Sequence, residues 1–312
     1  HRRFGHVSIA TLKKSAKAVK NLEIKGKSTK QVDCGICMRS HMKQRPFTRP
    51  IKIEHRAFTL LKSIHVDLFG PLVRSVRGNH YGTIIVDEAS KYLWAKAMRY
   101  KSDAPAVTKE HVKWAEKVTG EKVGSIKIDI EGAVLSTQFR EWCADEGMKM
   151  LFHAPHSPNQ SSLSENGVRN VKGTMRALLK GADKPPRMWD LTIDTVMLCH
   201  NVMLKQLSRD PTRTPFQLFH GFEPDLKHAK VWGCAGFRFV PKGERRSQTF
   251  SDRAQPGHFI GLDPDDPRTF FFLNLKWQVI RGTTGAFYEH LTHVKDLPDH
   301  RHIEDGLTFG DG

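Results

Sequence analysis

The period of hydrophobic and polar positions changes three times along the chain. Between 61 and 155, apolar β-rich stretches at 61–68, 81–87, 92–99, 123–129 and 148–153 alternate with helical patterns at 104–118 and 136–146. Two further helical patterns follow at 164–180 and 187–204. Three strands on short turns, then helix, strand, helix, strand and two long helices, predict an α/β fold with a mixed sheet covered by helices. After about 228 the pattern shifts to short strands broken by Gly and Pro, at 230–240, 257–262, 269–275, 276–281 and 285–289, which reads as a small all-β barrel or sandwich. Residues 1–45 are short, basic and hold two of the cysteines, and 46–60 carry two prolines and read as a linker. The expected order is a metal-type module at 1–45, the linker, an α/β core at 61–225, a β module at 228–292 and a tail at 293–312.

Composition narrows the classes. Lys and Arg number 50 against 33 Asp and Glu, a net charge of +17 over 312 residues, so a polyanion is the first partner to consider. At 38% hydrophobic the chain can bury ordinary cores. No apolar run approaches the roughly 20 residues of a membrane helix. An odd number of cysteines, 5, argues against a disulfide scaffold and for a reducing compartment. The chain opens on His without a signal-peptide pattern, which reads as a piece cut from something longer.

Two groups of residues carry chemistry. His1 and His6 in HRRFGH, then Cys34 and Cys37 in CGIC, supply in order the four nitrogen and sulfur ligands that a tetrahedral zinc ion takes. A segment of this length has too little core to fold securely alone, and a metal would supply what packing cannot. His41 is an alternative ligand four positions on, and a redox pair is the competing reading of the cysteines. The second group is Asp67 and Asp129, each at the end of an apolar strand, with Glu165 near the start of a helix, 36 positions after Asp129. A buried strand rarely ends on a bare carboxylate, because desolvation is costly. Three such groups can converge on hard divalent cations, which want oxygen ligands and can clamp the two oxygens of an in-line phosphoryl displacement. Asp87 and Glu88 compete for this role but read better as a hairpin turn, and Glu131 is at most auxiliary.

The helix after Glu165 sets Arg169, Lys172 and Arg176 on the carboxylate's face, and Val168, Val171, Met175, Leu178 and Leu179 opposite, as core. Contact with DNA is the expected use of those cations. Gly167 and Gly173 weaken the same helix without an evident return. Lys242, Arg245, Arg246 and Arg253 share one loop region of the β module, where phosphate contact and plain solubilisation are both open. Trp232, Phe237 and Phe239 read as core, and Cys143, Cys199 and Cys234 as buried thiols.

These residues resemble those of retroviral and retrotransposon integrases, and in detail the Ty1/copia type. HRRFGH with CGICMRSHMKQRPF resembles that family's pre-integrase zinc segment. HVDLFGPL and YGTIIVDEASKYLWA resemble its first core strands, and SPNQSSLSENGVRN its approach to the glutamate. TPFQLFHGFEPDLKHAKVWGCAGFRFVP, GHFIGLD and GAFYEH resemble the junction to, and strands of, its C-terminal module. The resemblance implies an RNase H-like core, an SH3-like β module, zinc on His1, His6, Cys34 and Cys37, and catalytic Asp67, Asp129 and Glu165 with Mg²⁺ or Mn²⁺. It implies joining of 3′-hydroxyl ends of element DNA to target DNA by a homo-oligomer, in the nucleus by way of cytoplasmic virus-like particles. A host targeting factor is a further implied partner; a membrane is not. Ile130-Glu131-Gly132-Ala133-Val134 stands where the family has Asn-Gly-Gly-Glu-Phe, Ser161-Ser162 where it has Asn-Gly, and Asn166-Gly167 where it has Arg-Lys. The rival readings are a decayed or domesticated DNA-binding protein from such an element, and a DDE transposase or RNase H-like nuclease.

Overall fold

The computed structural model describes residues 1–19, 22, 34–41, 59–128, 137–152, 162–245, 247, 249–264, 266 and 268–298. The chain divides into two compact units, His1–His228 and Ala229–Gly312.

The first unit is built on a five-stranded sheet. Its strands are β1 (Ile64–Phe69), β2 (Tyr81–Asp87), β3 (Leu93–Met98), β4 (Ser125–Ile128) and β5 (Lys149–Phe152), in the order β3-β2-β1-β4-β5. The first three run as an antiparallel meander, while β4 and β5 pair parallel to β1 and to each other. Short turns permit the meander, but a parallel return needs a crossover, and the two helices before β4 and β5 provide it. These are α3 (Ala104–Thr119) and α4 (Thr137–Asp145). This is the RNase H-like mixed sheet that the sequence predicts.

Alternation along β1 decides what each face meets. Ile64 and Val66, with Ile85, Ile126 and Ile128, turn to α3 and α4 and form one core with Val112, Ala115, Phe139 and Cys143. His65, Asp67 and Phe69 therefore point to the other face. There lies α5 (Ser162–Gly181), with the core stripe Val171, Met175, Leu178 and Leu179 buried as its 3.6-residue period predicts. The predicted helix at 187–204 is two elements, a 3₁₀ helix at Pro186–Thr192 and α6 at Ile193–Asn201. Pro185 and Pro186 remove backbone donors at its start, which suits the first turn only. The Asn201 side chain accepts from the Leu93 N–H at 2.8 Å and donates to the Leu93 carbonyl at 2.8 Å, tying α6 to the edge strand β3.

The second unit carries an antiparallel five-stranded sheet of β6 (Ala235–Phe239), β7 (Ala254–Leu262), β8 (Phe270–Asn274), β9 (Val279–Gly282) and β10 (Gly285–Tyr288), in the order β10-β6-β7-β8-β9. Trp232 is buried as predicted, but Phe239 is 44% exposed and Phe237 only half-buried. The inward residue of β6 is Arg238, whose guanidinium is ion-paired with Glu244 and donates to the Arg281 carbonyl at 2.9 Å. Strand parity settles this: Phe237 and Phe239 share a face and Arg238 takes the opposite one, with an acidic partner that makes its burial tolerable. Cys143, Cys199 and Cys234 are all buried, as predicted.

Candidate active site and metal centre

The N-terminal segment reverses at Gly5 and His6, both left-handed with φ of 59° and 63°. Gly5 is fitted to its place twice over. Its φ favours glycine, and a Cβ there would lie 2.6 Å from Thr174 Cγ2 on α5. The reversal folds His1 back on His6, with ring centroids 4.8 Å apart. The Ser8 hydroxyl then caps α1 (Ile9–Ser15) by accepting from the Thr11 N–H at 3.1 Å. Cys34 precedes α2 (Gly35–His41) and Cys37 sits in its first turn, so one helix start presents both sulfurs.

The four predicted ligands come together. Cys34 Sγ is 3.2 Å from His6 Nδ1, Cys37 Sγ is 3.2 Å from His1 Nε2, and the two histidine nitrogens are 3.2 Å apart. All four ligand atoms lie within 4.8 Å of one another. A tetrahedral ion with bonds of about 2.0–2.3 Å sets its nitrogen and sulfur ligands roughly 3.3–3.8 Å apart, so the group fits one such cation. His1 Nδ1 lies 2.7 Å from the Val7 carbonyl, which holds the proton on Nδ1 and leaves the Nε2 lone pair toward the cluster. With no cation, burial raises the Cys34 thiol, but hydrogen bonds from the Cys37 backbone and the His1 side chain outweigh it and bring the thiol to about 7. Burial and the neighbouring Cys34 push Cys37 up to about 11. Two thiolates cannot share this space without a positive charge between them, which is the demand a divalent metal meets.

This cluster sits on the helix that carries Glu165. The Arg176 guanidinium of α5 donates to the Ser40 carbonyl of α2 at 2.8 Å. A Cβ on Gly181, the last residue of α5, would stand 3.2 Å from His6 Nε2. Arg176, read from sequence as a DNA contact, thus also holds the two segments together. Arg169 is exposed and bonded to Asn166 at 3.2 Å, and Lys172 lies 5.9 Å over the Phe69 ring.

Among the three carboxylates, Asp67 is half-buried on the α5 face of β1, where its Oδ1 accepts from the Leu68 N–H at 2.7 Å. Glu165 is exposed in the first turn of α5. Asp129 lies outside the described residues, but Ile128 before it pairs with Val66, the residue before Asp67. Glycine at 167 brings the helix close. A Cβ at that position would be 2.7 Å from Ile84 Cδ1, and Ile84 is the cross-strand partner of Asp67.

No family model matches the chain. It is 26% identical over 295 residues to the retrovirus-related Pol polyprotein from transposon TNT 1-94 of Nicotiana tabacum, covering 93% of this chain and 21% of that protein. The corresponding polyprotein from transposon RE2 of Arabidopsis thaliana is 23% identical over 261 residues, covering 84% of this chain and 17% of the relative. The chain is similar to a segment of these retrovirus-related Pol polyproteins from plant transposons. It spans about a fifth of the length of the curated relatives it matches. A chain in the cryo-EM structure of the simian T-cell lymphotropic virus intasome in complex with PP2A regulatory subunit B56 gamma overlaps 80% of this chain and 84% of its own. The identity there is 14% and the TM-score 0.43, too low to bear on the fold.

Asp87 and Glu88 lie at the β2–β3 hairpin turn as the sequence suggests, but each also makes contacts that a turn reading leaves out. Asp87, taken as a turn residue, is 3% exposed and accepts from the Leu61 N–H, the Ser90 N–H and the Ser90 hydroxyl. Burial raises its carboxyl and those bonds oppose the rise. Glu88, also taken as turn, reaches over the sheet to Lys127 Nζ at 2.7 Å and His65 Nε2 at 3.4 Å. The available signal was parity, since His65 and Lys127 each stand two residues before a predicted catalytic aspartate.

In the second unit, Arg245 donates to the Val240 carbonyl at 2.9 Å and covers the Phe239 ring, while Lys242 is exposed. Arg246 lies outside the described residues. No helix of the described residues is long and apolar enough to cross a membrane.

Proposed function

We propose that this Pol segment is an integrase that joins 3′-hydroxyl ends of element DNA to target DNA. The observation that carries this reading is the meeting of β1, β4 and α5. Val66, the residue before Asp67, pairs with Ile128, the residue before Asp129, and Gly167 of α5 rests on Ile84, the strand partner of Asp67, which supports a site shared by Asp67, Asp129 and Glu165. Asp67, Asp129 and Glu165 bind the catalytic cations as an all-oxygen set, which suits Mg²⁺ or Mn²⁺. When bound, such ions stabilise the attacking and leaving oxygens of an in-line displacement at phosphorus. The protein's own part is position: the packed sheet holds Asp67, and α5 brings Glu165 to it without a covalent intermediate.

His1, His6, Cys34 and Cys37 hold zinc and fold the N-terminal segment against α5. Arg169, Lys172 and Arg176 on α5, with Lys242, Arg245 and Arg246 in the second unit, contact DNA phosphates, in keeping with a net charge of +17. Two DNA ends must be held together during joining, so the working form is a homo-oligomer acting in the nucleus. A strand-transfer assay on a blunt duplex with Mg²⁺ or Mn²⁺ tests the reading. Joined product supports it, and tight binding with no joining in either metal hands the chain to the non-catalytic DNA-binding alternative.

A further inference from the structure

Glu88 lies outside the carboxylate set yet touches the sheet face that bears Asp67. Its side chain is 10% exposed and that of its partner Lys127 is 24% exposed. Ile126 and Ile128 point into the core under α3 and α4, so Lys127 points the other way, onto the face of His65 and Asp67. Lys127 and Asp67 are thus diagonal neighbours on adjacent strands, a separation of about 7–8 Å between backbones that a long side chain spans. An ammonium group left to settle among those carboxylates would neutralise them and compete with a cation for the same oxygens. It does not settle there, because the Glu88 carboxylate holds it at 2.7 Å and is steadied in turn by His65. A lysine placed to grip a phosphate would be poorly served by a buried carboxylate on its ammonium, which disfavours direct DNA contact for Lys127.

We infer that Glu88 is a positioning residue that holds Lys127 away from Asp67 and so sets the affinity of the carboxylate site for divalent cations. The inference rests on the metal-binding reading of Asp67 proposed above.

The test is a Mn²⁺ titration of the full chain, its N-terminal cluster saturated with zinc, following unbound Mn²⁺ by electron paramagnetic resonance. Wild type binds Mn²⁺ and Asp67→Asn loses that binding. Glu88→Gln raises the half-saturating concentration by roughly tenfold or more, the usual effect of losing a group that orients metal ligands. Adding Lys127→Met to Glu88→Gln returns it to the wild-type value or below, because the competing cation has gone. A purely structural role for Glu88 predicts no such rescue. If Glu88→Gln alone does not fold, by thermal midpoint and circular dichroism, Lys127→Met with Glu88 intact carries the test, and its affinity should equal or exceed that of wild type. The inference is overturned by a folded Glu88→Gln that titrates like wild type, by a double variant that fails to recover, or by weaker binding in Lys127→Met. A wild type with no Asp67-dependent Mn²⁺ binding overturns the metal site itself, and the wild-type titration tells the two failures apart.

Discussion

Gly167 of α5 lies so close to Ile84 of β2 that a methyl group in place of its hydrogen would stand 2.7 Å from the Ile84 Cδ1. Ile84 is fully buried and pairs with Asp67, so this contact fixes how near the helix bearing Glu165 comes to the strand bearing Asp67. The glycine that weakens the helix is the residue that lets it dock.

Two effects compete in Gly167→Ala. Helix propensity favours alanine by up to about 1 kcal/mol, while overpacking a buried contact costs about 1–3 kcal/mol. Overpacking should win, with a net loss of about 1 kcal/mol in chemical denaturation. Ile84→Val removes the atom that clashes. Alone it should cost roughly 0.5–1.5 kcal/mol, but in the Gly167→Ala background it should cost nothing or restore stability. Simple additivity of the two changes would show that the contact is not the reason for glycine.

Folding of the N-terminal segment should require its metal. Metal analysis should find about one zinc per chain, and Cys34→Ser or Cys37→Ser should each abolish it. Since α5 shares contacts with this segment through Arg176 and Gly181, chelation should also lower the thermal midpoint of the core. Full zinc occupancy in both variants would mean that other residues are the ligands.

The three cations of α5 should not behave alike towards DNA. Binding to duplex DNA should weaken steeply with salt. If roughly 8 phosphates are neutralised, log K against log[salt] should fall with a slope of about −7. Arg169→Ala and Lys172→Ala should reduce that slope and leave stability nearly unchanged. Arg176→Ala, which also loses the bond to Ser40, should in addition loosen zinc retention. A slope near zero would remove DNA as the main partner.

What could be read in the sequence followed from short-range rules. Strand alternation and helical period gave the mixed sheet and the buried stripe of α5, and the order of His1, His6, Cys34 and Cys37 gave a cluster that closes in space. The rest needed contacts between distant residues. The Asp87–Ser90 bonds belong to the local hairpin turn, but nothing in VDEAS says that Asp87 also takes the Leu61 N–H, or that Glu88 crosses the sheet to Lys127, because those partners are remote in sequence. Arg238 went unforeseen for a related reason: its burial depends on Glu244 and the Arg281 carbonyl, and the flanking phenylalanines alone suggested the opposite face.

The Glu88 network should leave a mark on acid stability. Burial alone would raise the Glu88 carboxyl, but the hydrogen bonds from His65 and Lys127 outweigh it and lower it from 4.5 to about 2. A carboxyl depressed on folding stabilises the protein above its unfolded value and loses that contribution as pH falls through its folded one. The loss should therefore fall between about pH 4.5 and pH 2. Its size should be on the order of 1–2 kcal/mol, reduced by the access of Lys127 to water. Thermal midpoints of wild type and Glu88→Gln should differ above this window and converge below it. Parallel curves throughout would mean that Glu88 titrates normally.

Strand transfer by Glu165→Gln tests the central claim most directly. The amide keeps the size of the side chain but is a much poorer ligand for Mg²⁺. Asp67→Asn and Asp129→Asn should match it, and a double variant should be little worse than either single one, because residues that act as a unit lose their joint effect together. Asp87→Asn is unsuited as a control, being buried and hydrogen-bonded, whereas Glu110 is exposed on α3 beside Lys96, and Glu110→Gln should keep full activity. The account predicts that Glu165→Gln lowers joining by several orders of magnitude, about 10³-fold or more, with DNA binding within a few-fold of wild type. Joining at the wild-type rate by a folded Glu165→Gln would contradict it.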